Sequence, residues 1–226
     1  MFVEWVRENM KKAVLILIII VSIVSGCNKE EKKKTNAIIF KEEYETLNGK
    51  TIGNNTYQKV SIPEDNAMQY SNIEEVLHLL KEGTAIIYFG APDDFLSRSI
   101  IETLLNTANM VGIETIYYLN ATEIRDTKHL DINGEIVTEK EGTKEYYQLL
   151  DILEPHLPIY EGLKNETIKR LYFPTIVFVK DGDIIGCHIR KANPNTGLTK
   201  EEEKELALIY SEYMHTILGD VCNKEC

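Results

Sequence analysis

The sequence has few basic side chains for its length. Its 226 residues include 25 lysines and arginines against 36 aspartates and glutamates, which gives a formal net charge of −11 at pH 7. A surface that binds nucleic acid must neutralise phosphates, and no basic stretch of this chain is large enough to do so. The composition therefore argues against nucleic acid as a partner.

Apolar runs long enough to cross a membrane are also lacking. The run from Ala13 to Val24 is short for a spanning helix but has the length of the apolar region of a signal peptide, and Arg7 and two lysines precede it. It ends in Val-Ser-Gly before Cys27, which resembles the bacterial lipobox. The resemblance implies a signal peptide over residues 1–26, lipidation of Cys27, and anchoring to the extracytoplasmic face of a bacterial cell membrane. The alternative is an uncleaved signal anchor with an incidental cysteine.

The stretch that follows Cys27 has no apolar periodicity. Residues 28–36 are rich in lysine and glutamate, which is typical of a solvated spacer. We expect residues 27–43 to form a flexible, lipid-anchored tether and residues 44–226 to form one folded domain.

The most structured pattern of the chain lies between Thr84 and Arg98. Its first half is a continuous apolar run bounded by glycines, which predicts a buried strand. Its second half predicts a helix, with Asp93 or Asp94 as the N-cap and apolar residues at helical spacing after it. Such a turn from strand to helix lies at the carboxyl edge of a sheet, where ligand sites of α/β proteins are common.

A second pattern predicts a β-hairpin. Two apolar runs between residues 170 and 189 are joined by Asp181-Gly182, and Pro174 stands just before the first run. Two further strands are predicted, a short one over 57–62 and one over 112–119 that runs parallel to the buried strand. A capping box at Ser71 opens a helix that Gly83 ends, a second helix is predicted over 145–153, and a capping box at Thr199 opens a long helix. Residues 120–143 are predicted to form an exposed polar insertion.

The two patterns together resemble the thioredoxin fold, in particular the bacterial membrane-anchored thioredoxin-like lipoproteins akin to bacteriocin-transport accessory proteins. The loop of that family reads Phe-Gly-x-Pro-x-Cys-x-x-Cys-Arg, and the residues of this chain that match it are Phe89, Gly90, Pro92 and Arg98. The resemblance implies an α/β fold with a central mixed sheet flanked by helices, a polar and helical insertion between the second strand and the next, and a cis-proline at Pro174 opening that next strand.

The chain departs from the family where Asp94 and Ser97 stand at the two cysteine positions. A thioredoxin needs a thiolate at the helix N-terminus to attack a disulfide and a second thiol to resolve the intermediate. A carboxylate cannot exchange with a disulfide, and the pKa of a serine hydroxyl is far too high. We therefore expect Asp94 to cap the helix, with paired carboxylate chemistry of Asp93 and Asp94 as the alternative, and we expect no metal and no cofactor.

Cysteine is scarce elsewhere, since the chain has four. Cys187 is expected to be a buried, inert thiol that shares a strand face with Ile185 and Ile189. Cys222 and Cys226 predict a disulfide in the C-terminal tail, or alternatively a surrogate redox pair.

Two functions follow from these patterns. The first is a non-catalytic binding or accessory protein for an extracytoplasmic polypeptide, which would pair by strand addition with the segment Phe173, Pro174 and Thr175 beside Asp94. The second is a thiol–disulfide oxidoreductase that uses Cys222 and Cys226.

Overall fold

The computed structural model describes residues 34–189 and 197–219, and one compact unit begins at Thr35. The α-helices of the described residues are α1 (Asn36–Glu45), α2 (Ile73–Glu82), α3 (Phe95–Val111), α4 (Lys144–Leu153) and α5 (Lys200–Leu218). The strands are β1 (Thr51–Ile52), β2 (Asn55–Thr56), β3 (Met68–Tyr70), β4 (Ala85–Phe89), β5 (Ile116–Leu119), β6 (Thr127–Leu130), β7 (Ile136–Lys140), β8 (Thr175–Lys180) and β9 (Asp183–Ile189). None of the helices described is long and apolar enough to cross a membrane.

The main sheet has five strands in the order β3-β5-β4-β8-β9. Strands β3, β5 and β4 run parallel to one another, whereas β8 is antiparallel to both β4 and β9. All five residues of β4 are buried, as expected for a central strand that is covered on both faces. The prediction of an α/β fold with a central mixed sheet and flanking helices is confirmed.

Helices cover both faces of this sheet. Side chains of α1, α3 and α5 pack on one face together with Ile86 and Tyr88 of β4. Side chains of α2 and α4 pack on the other face together with Ile87 and Phe89. The alternation of β4 residues between two hydrophobic cores is the two-residue period of a strand.

The first helix begins earlier than the sequence indicates. Residues 36–43 were expected to belong to the tether, but they lie within α1, which starts after an N-cap at Thr35. Phe40 and Tyr44 are fully buried in the main core. Only two large apolar side chains of this helix are buried, and a lysine- and glutamate-rich stretch with so few core residues gives little periodic signal.

Two other local predictions differ from the structure. Residues 57–62 form no strand, because the side chain of Asn48 bonds to both backbone groups of Val60 and holds the segment in an irregular conformation. The N-cap of α2 is Asn72, whose side chain accepts a hydrogen bond from Glu75 N, and the Ser71 hydroxyl donates instead to the Glu75 carboxylate.

The predicted β8–β9 hairpin forms, and both turn residues, Asp181 and Gly182, have positive φ angles of 52° and 83°. The register shifts by one residue because Phe178 pairs with Gly186 and Val179 with Ile184. The extra residue, Ile185, is a β-bulge that breaks the alternation of faces. Ile185 consequently packs in the core opposite to the one that Cys187 contacts, so the prediction that these two share a face is wrong.

The stretch between β5 and β8 contains the predicted polar and helical insertion. Strands β6 and β7 form a separate two-stranded antiparallel sheet, and every residue of β7 is exposed. Helix α4 and a 3₁₀ turn (Glu154–His156) follow. The ends of the next loop are joined by hydrogen bonds from Tyr160 N to Ile168 O (2.7 Å) and from Arg170 N to Pro158 O (3.1 Å).

A group of tyrosines lies in the core between α1 and the sheet. The hydroxyls of Tyr44 and Tyr88 are 2.9 Å apart, and both residues are fully buried. The ring of Tyr118 stacks on Tyr88 at 5.6 Å and meets Tyr70 edge-on at 5.2 Å. Burial, as the largest cause, raises the pKa of each of these four phenols.

Candidate functional site

Three segments of the chain meet at one edge of the main sheet. Phe89 at the end of β4 is in register with Leu119 at the end of the parallel strand β5 and with Thr175 at the start of the antiparallel strand β8. The loop that leaves β4, the turn that leaves β5 and the loop that enters β8 are therefore neighbours. This edge is the candidate site, and it is where the sequence places Asp94 and Pro174.

Asp94 is the N-cap of α3, as predicted. One of its carboxylate oxygens, Oδ2, accepts a hydrogen bond from Ser97 N at 2.6 Å. Burial raises the pKa of the Asp94 carboxyl, although hydrogen bonds from Ser97 and the charge of Arg125 act in the opposite direction. The carboxylate thus has a structural role at the helix N-terminus.

Ser97 is fully buried, and its hydroxyl oxygen accepts a hydrogen bond from Ala91 N at 3.3 Å. Directly beneath this loop lies the Tyr88 hydroxyl, which a Cβ atom at Gly90 would overlap. The loop can therefore follow this path only with glycine at position 90. Neither Asp94 nor Ser97 presents a nucleophile that could replace a thiolate.

Arg98, the last of the four residues that match the family motif, is 1% exposed. Its guanidinium donates to the carbonyls of Gln58 (2.7 and 2.9 Å), Tyr44 (2.8 Å) and Pro92 (3.0 Å), and to the side-chain oxygen of Asn48 (2.6 Å). Burial lowers its pKa. These bonds join the start of α3 to the end of α1 and to the segment that follows α1. Arg98 therefore stabilises the position of the α3 N-terminus at the site.

The Phe173–Pro174 peptide bond is cis, and Pro174 and Thr175 are buried. The Thr175 hydroxyl donates to Tyr172 O at 2.7 Å and is therefore used internally. In the described part of the chain, no hydrogen bond is formed by the backbone N–H or carbonyl of Phe173. Of the segment predicted to bind a peptide, the backbone of Phe173 is the part whose hydrogen-bonding groups are unused, and peptide binding itself stays a prediction.

Two arginines also reach this edge, and sequence reasoning missed both. Arg125 follows β5 in a turn whose backbone bonds to Ala121 O (3.0 Å), and its guanidinium lies 4.5 Å from the centroid of the Phe173 ring. Arg170 precedes β8, and its guanidinium lies 4.1 Å from the Tyr160 ring centroid. The one signal available in the sequence was their position near the ends of two strands that meet at this edge.

The cysteines do not contribute to this edge as far as it is described. Cys187 is partly buried on β9, and burial raises its pKa to about 11, which keeps the thiol protonated at neutral pH. The predicted lipidation residue Cys27 and the candidate pair Cys222 and Cys226 lie outside the described residues. Within residues 34–189 and 197–219, no cluster of three or more histidine, cysteine, aspartate or glutamate side chains could hold a metal ion.

Comparison of the chain with protein-family models, with curated proteins and with solved structures finds no match.

Proposed function

We propose that this protein is a membrane-anchored, thioredoxin-like lipoprotein with a degenerate active site that binds an extracytoplasmic polypeptide without catalysis. The order of elements on which the thioredoxin resemblance depends supports the fold: β4 leads through a Gly-x-Pro loop into α3, and a proline opens the β8–β9 hairpin beside β4. The lipobox-like sequence before Cys27 supports the anchor. If Cys27 carries the lipid, a Cys27→Ser variant loses fatty-acid labelling and membrane association; retention of both contradicts the anchor.

The observation that carries the binding function is that the Phe173 backbone forms no hydrogen bond with any described residue. A backbone N–H and carbonyl without partners next to the start of a strand can accept an extended peptide as an added strand segment. Backbone pairing needs no thiol. The loss of both cysteines at positions 94 and 97 is therefore compatible with binding, whereas it removes the chemistry of a thioredoxin.

A site-directed photo-cross-linking experiment tests this proposal. The full chain, purified in detergent micelles, would carry a photoreactive benzoylphenylalanine at Asp93, which is exposed beside the candidate site. The matched control carries it at Leu208, which is 72% exposed on α5. The probe is a biotinylated pool of nonapeptides with degenerate side chains. We expect ultraviolet-dependent labelling at position 93 but not at position 208; equal labelling at both, or none at 93, contradicts the proposal.

The second candidate function is thiol–disulfide exchange by Cys222 and Cys226. It is favoured by their close spacing, with three residues between them. An insulin-reduction assay on the full chain separates the two functions. Turnover that disappears in the Cys222→Ser/Cys226→Ser variant establishes the redox function, whereas the binding function predicts no turnover in either protein.

A further inference from the structure

Arg125 and Arg170 lie at the same end of the candidate site although 44 residues separate them in the sequence. The guanidinium of Arg170 donates to the carbonyl of Asp126, the residue next to Arg125, at 3.4 Å. The same guanidinium lies 5.7 Å from the ring centroid of Tyr172. Arg125 stacks on the ring of the next residue, Phe173. The two arginines are therefore close together: Arg170 contacts the residue that follows Arg125 in the chain, and the rings that they contact belong to the consecutive residues Tyr172 and Phe173.

Neither cation has a carboxylate partner among the residues that the structure describes. No ion pair involves Arg125 or Arg170, and the Arg125 guanidinium donates no hydrogen bond to any described residue. The nearby carboxylate of Asp126 pairs instead with Lys128 at 2.8 Å. Asp94 acts on Arg125 through its charge without forming an ion pair.

The two arginines also repel each other. Burial, and after it the charge of Arg170, lowers the pKa of Arg125. Two like charges in a partly buried place are unfavourable unless an anion joins them. Their guanidinium carbons lie 4.5 and 4.1 Å from the centroids of aromatic rings. A guanidinium that packs its face on a ring keeps N–H edges that can donate in parallel pairs. A planar carboxylate accepts such pairs, and this geometry distinguishes arginine from lysine as a binding group.

We propose that Arg125 and Arg170 bind a carboxylate of the polypeptide that pairs with the Phe173 backbone. The substrate class is accordingly an extended segment that carries either an acidic side chain or a free C-terminal carboxylate at this point. The inference rests on the proposed function, because it assigns a specificity to the same site. It also gives an acidic protein, with a net charge of −11, a local site that attracts rather than repels an acidic partner.

Fluorescence anisotropy with matched peptide pools tests this specificity. The probes are nonapeptide pools that are otherwise degenerate and carry either glutamate or glutamine at the central position, each with a free and an amidated C-terminus. With the full chain in detergent micelles, we expect the glutamate pool, or the pool with the free C-terminus, to bind about tenfold more tightly than its neutral counterpart, the size typical of a charge-assisted hydrogen-bonded contact. A difference between the glutamate and glutamine pools identifies an acidic side chain as the bound carboxylate, and a difference between the free and amidated pools identifies the C-terminus.

The variant that removes both charges is Arg125→Gln/Arg170→Gln, and its expected effect is to abolish the preference for the acidic pool over the neutral pool. Lys81→Gln is the matched control, since it removes a positive charge from an exposed residue at the end of α2, before the start of β4 and thus away from the site. Arg125→Lys/Arg170→Lys keeps the charges but not the paired donors, and should retain only part of the preference. Far-ultraviolet circular dichroism checks that each variant is folded.

The outcomes distinguish this inference from the function on which it rests. Equal binding of acidic and neutral pools overturns the carboxylate site but leaves the peptide-binding function standing. A preference that survives in the Arg125→Gln/Arg170→Gln variant also overturns it. Absence of binding by every pool overturns both the site and the proposed function.

Discussion

Arg98, which is buried, and Arg125, which is partly buried, show two different uses of an arginine. Arg98 donates five hydrogen bonds to neutral oxygens contributed by α1, the segment after it and the loop before α3. The guanidinium of Arg125 donates none to a described residue and contacts an aromatic ring instead. Arg98 is thus a cation that the fold uses for its own structure, whereas Arg125 donates to no acceptor among the described residues.

The difference follows from what surrounds each guanidinium. Arg98 is surrounded by four neutral acceptor groups that solvate its charge within the protein. The rings of Tyr44 and Tyr57 lie 5.9 and 5.5 Å from it. The charge of Arg125, by contrast, is affected by a second arginine, Arg170, and by Asp94, with which it forms no ion pair.

The largest effect on stability is expected at Arg98. Arg98→Met removes five hydrogen bonds from a charged donor. Tyr44 O and Asn48 Oδ1 keep the donors Leu47 N and Val60 N, whereas the carbonyls of Gln58 and Pro92 lose their partner. We expect the free energy of unfolding to fall by about 3 kcal/mol or more. Urea denaturation of the full chain in detergent micelles, followed by circular dichroism, measures this. A loss below about 1 kcal/mol would show that water replaces the arginine and that the enclosed cation is not structural.

A smaller effect, dependent on pH, is expected at Asp94, whose charge acts on Arg125. Burial raises the pKa of the Asp94 carboxyl in the folded state. The folded protein therefore binds the Asp94 proton more tightly than the unfolded chain does. Its contribution to stability is therefore greatest below the ordinary aspartate pKa of about 4 and falls as the pH rises through the raised value. Asparagine keeps an N-cap oxygen but cannot ionise.

The stability of Asp94→Asn relative to the wild type should accordingly improve between pH 4 and pH 7. Denaturation midpoints measured across this range check the direction, and Asp93→Asn, at the exposed neighbouring position, is the control. A relative stability of Asp94→Asn that declines toward pH 7 would mean that the helix N-terminus and Arg125 outweigh burial.

The smallest effect on stability is expected at Arg125. Arg125→Gln loses a cation–π contact worth about 0.5–1 kcal/mol but also removes the repulsion from Arg170. The two changes oppose each other, so the free energy of unfolding should change by less than about 1 kcal/mol. The same urea experiment measures it. If Arg125→Gln destabilises the protein as much as Arg98→Met, the contrast between the two arginines fails.

The sequence was informative where the signal is local. Asp94 caps α3 because an aspartate stands directly before an apolar helical pattern, and Thr199 and Glu202 form the predicted capping box of α5. The turn at Asp181 and Gly182 was equally predictable, since both positions adopt the positive φ angles that this pair favours.

Features that depend on distant contacts were not predictable. Helix α1 is stabilised by Phe40 and Tyr44 in a core that sequence periodicity does not reveal. Next to the bulge at Ile185, Gly186 lies against the ring of Tyr213, where a Cβ would overlap the ring. The proximity of Arg125 and Arg170 depends on how the insertion folds between β5 and β8.

The buried tyrosines give the molecule an optical indicator of its own folding. The single tryptophan of the sequence is Trp5, so tyrosine is the chromophore of the folded unit. Since burial raises the pKa of Tyr44, Tyr88 and Tyr118, these phenols stay protonated in alkali that ionises solvent-exposed ones. Opening of the core would release them together, and the absorbance of tyrosinate would rise in one step as the protein unfolds.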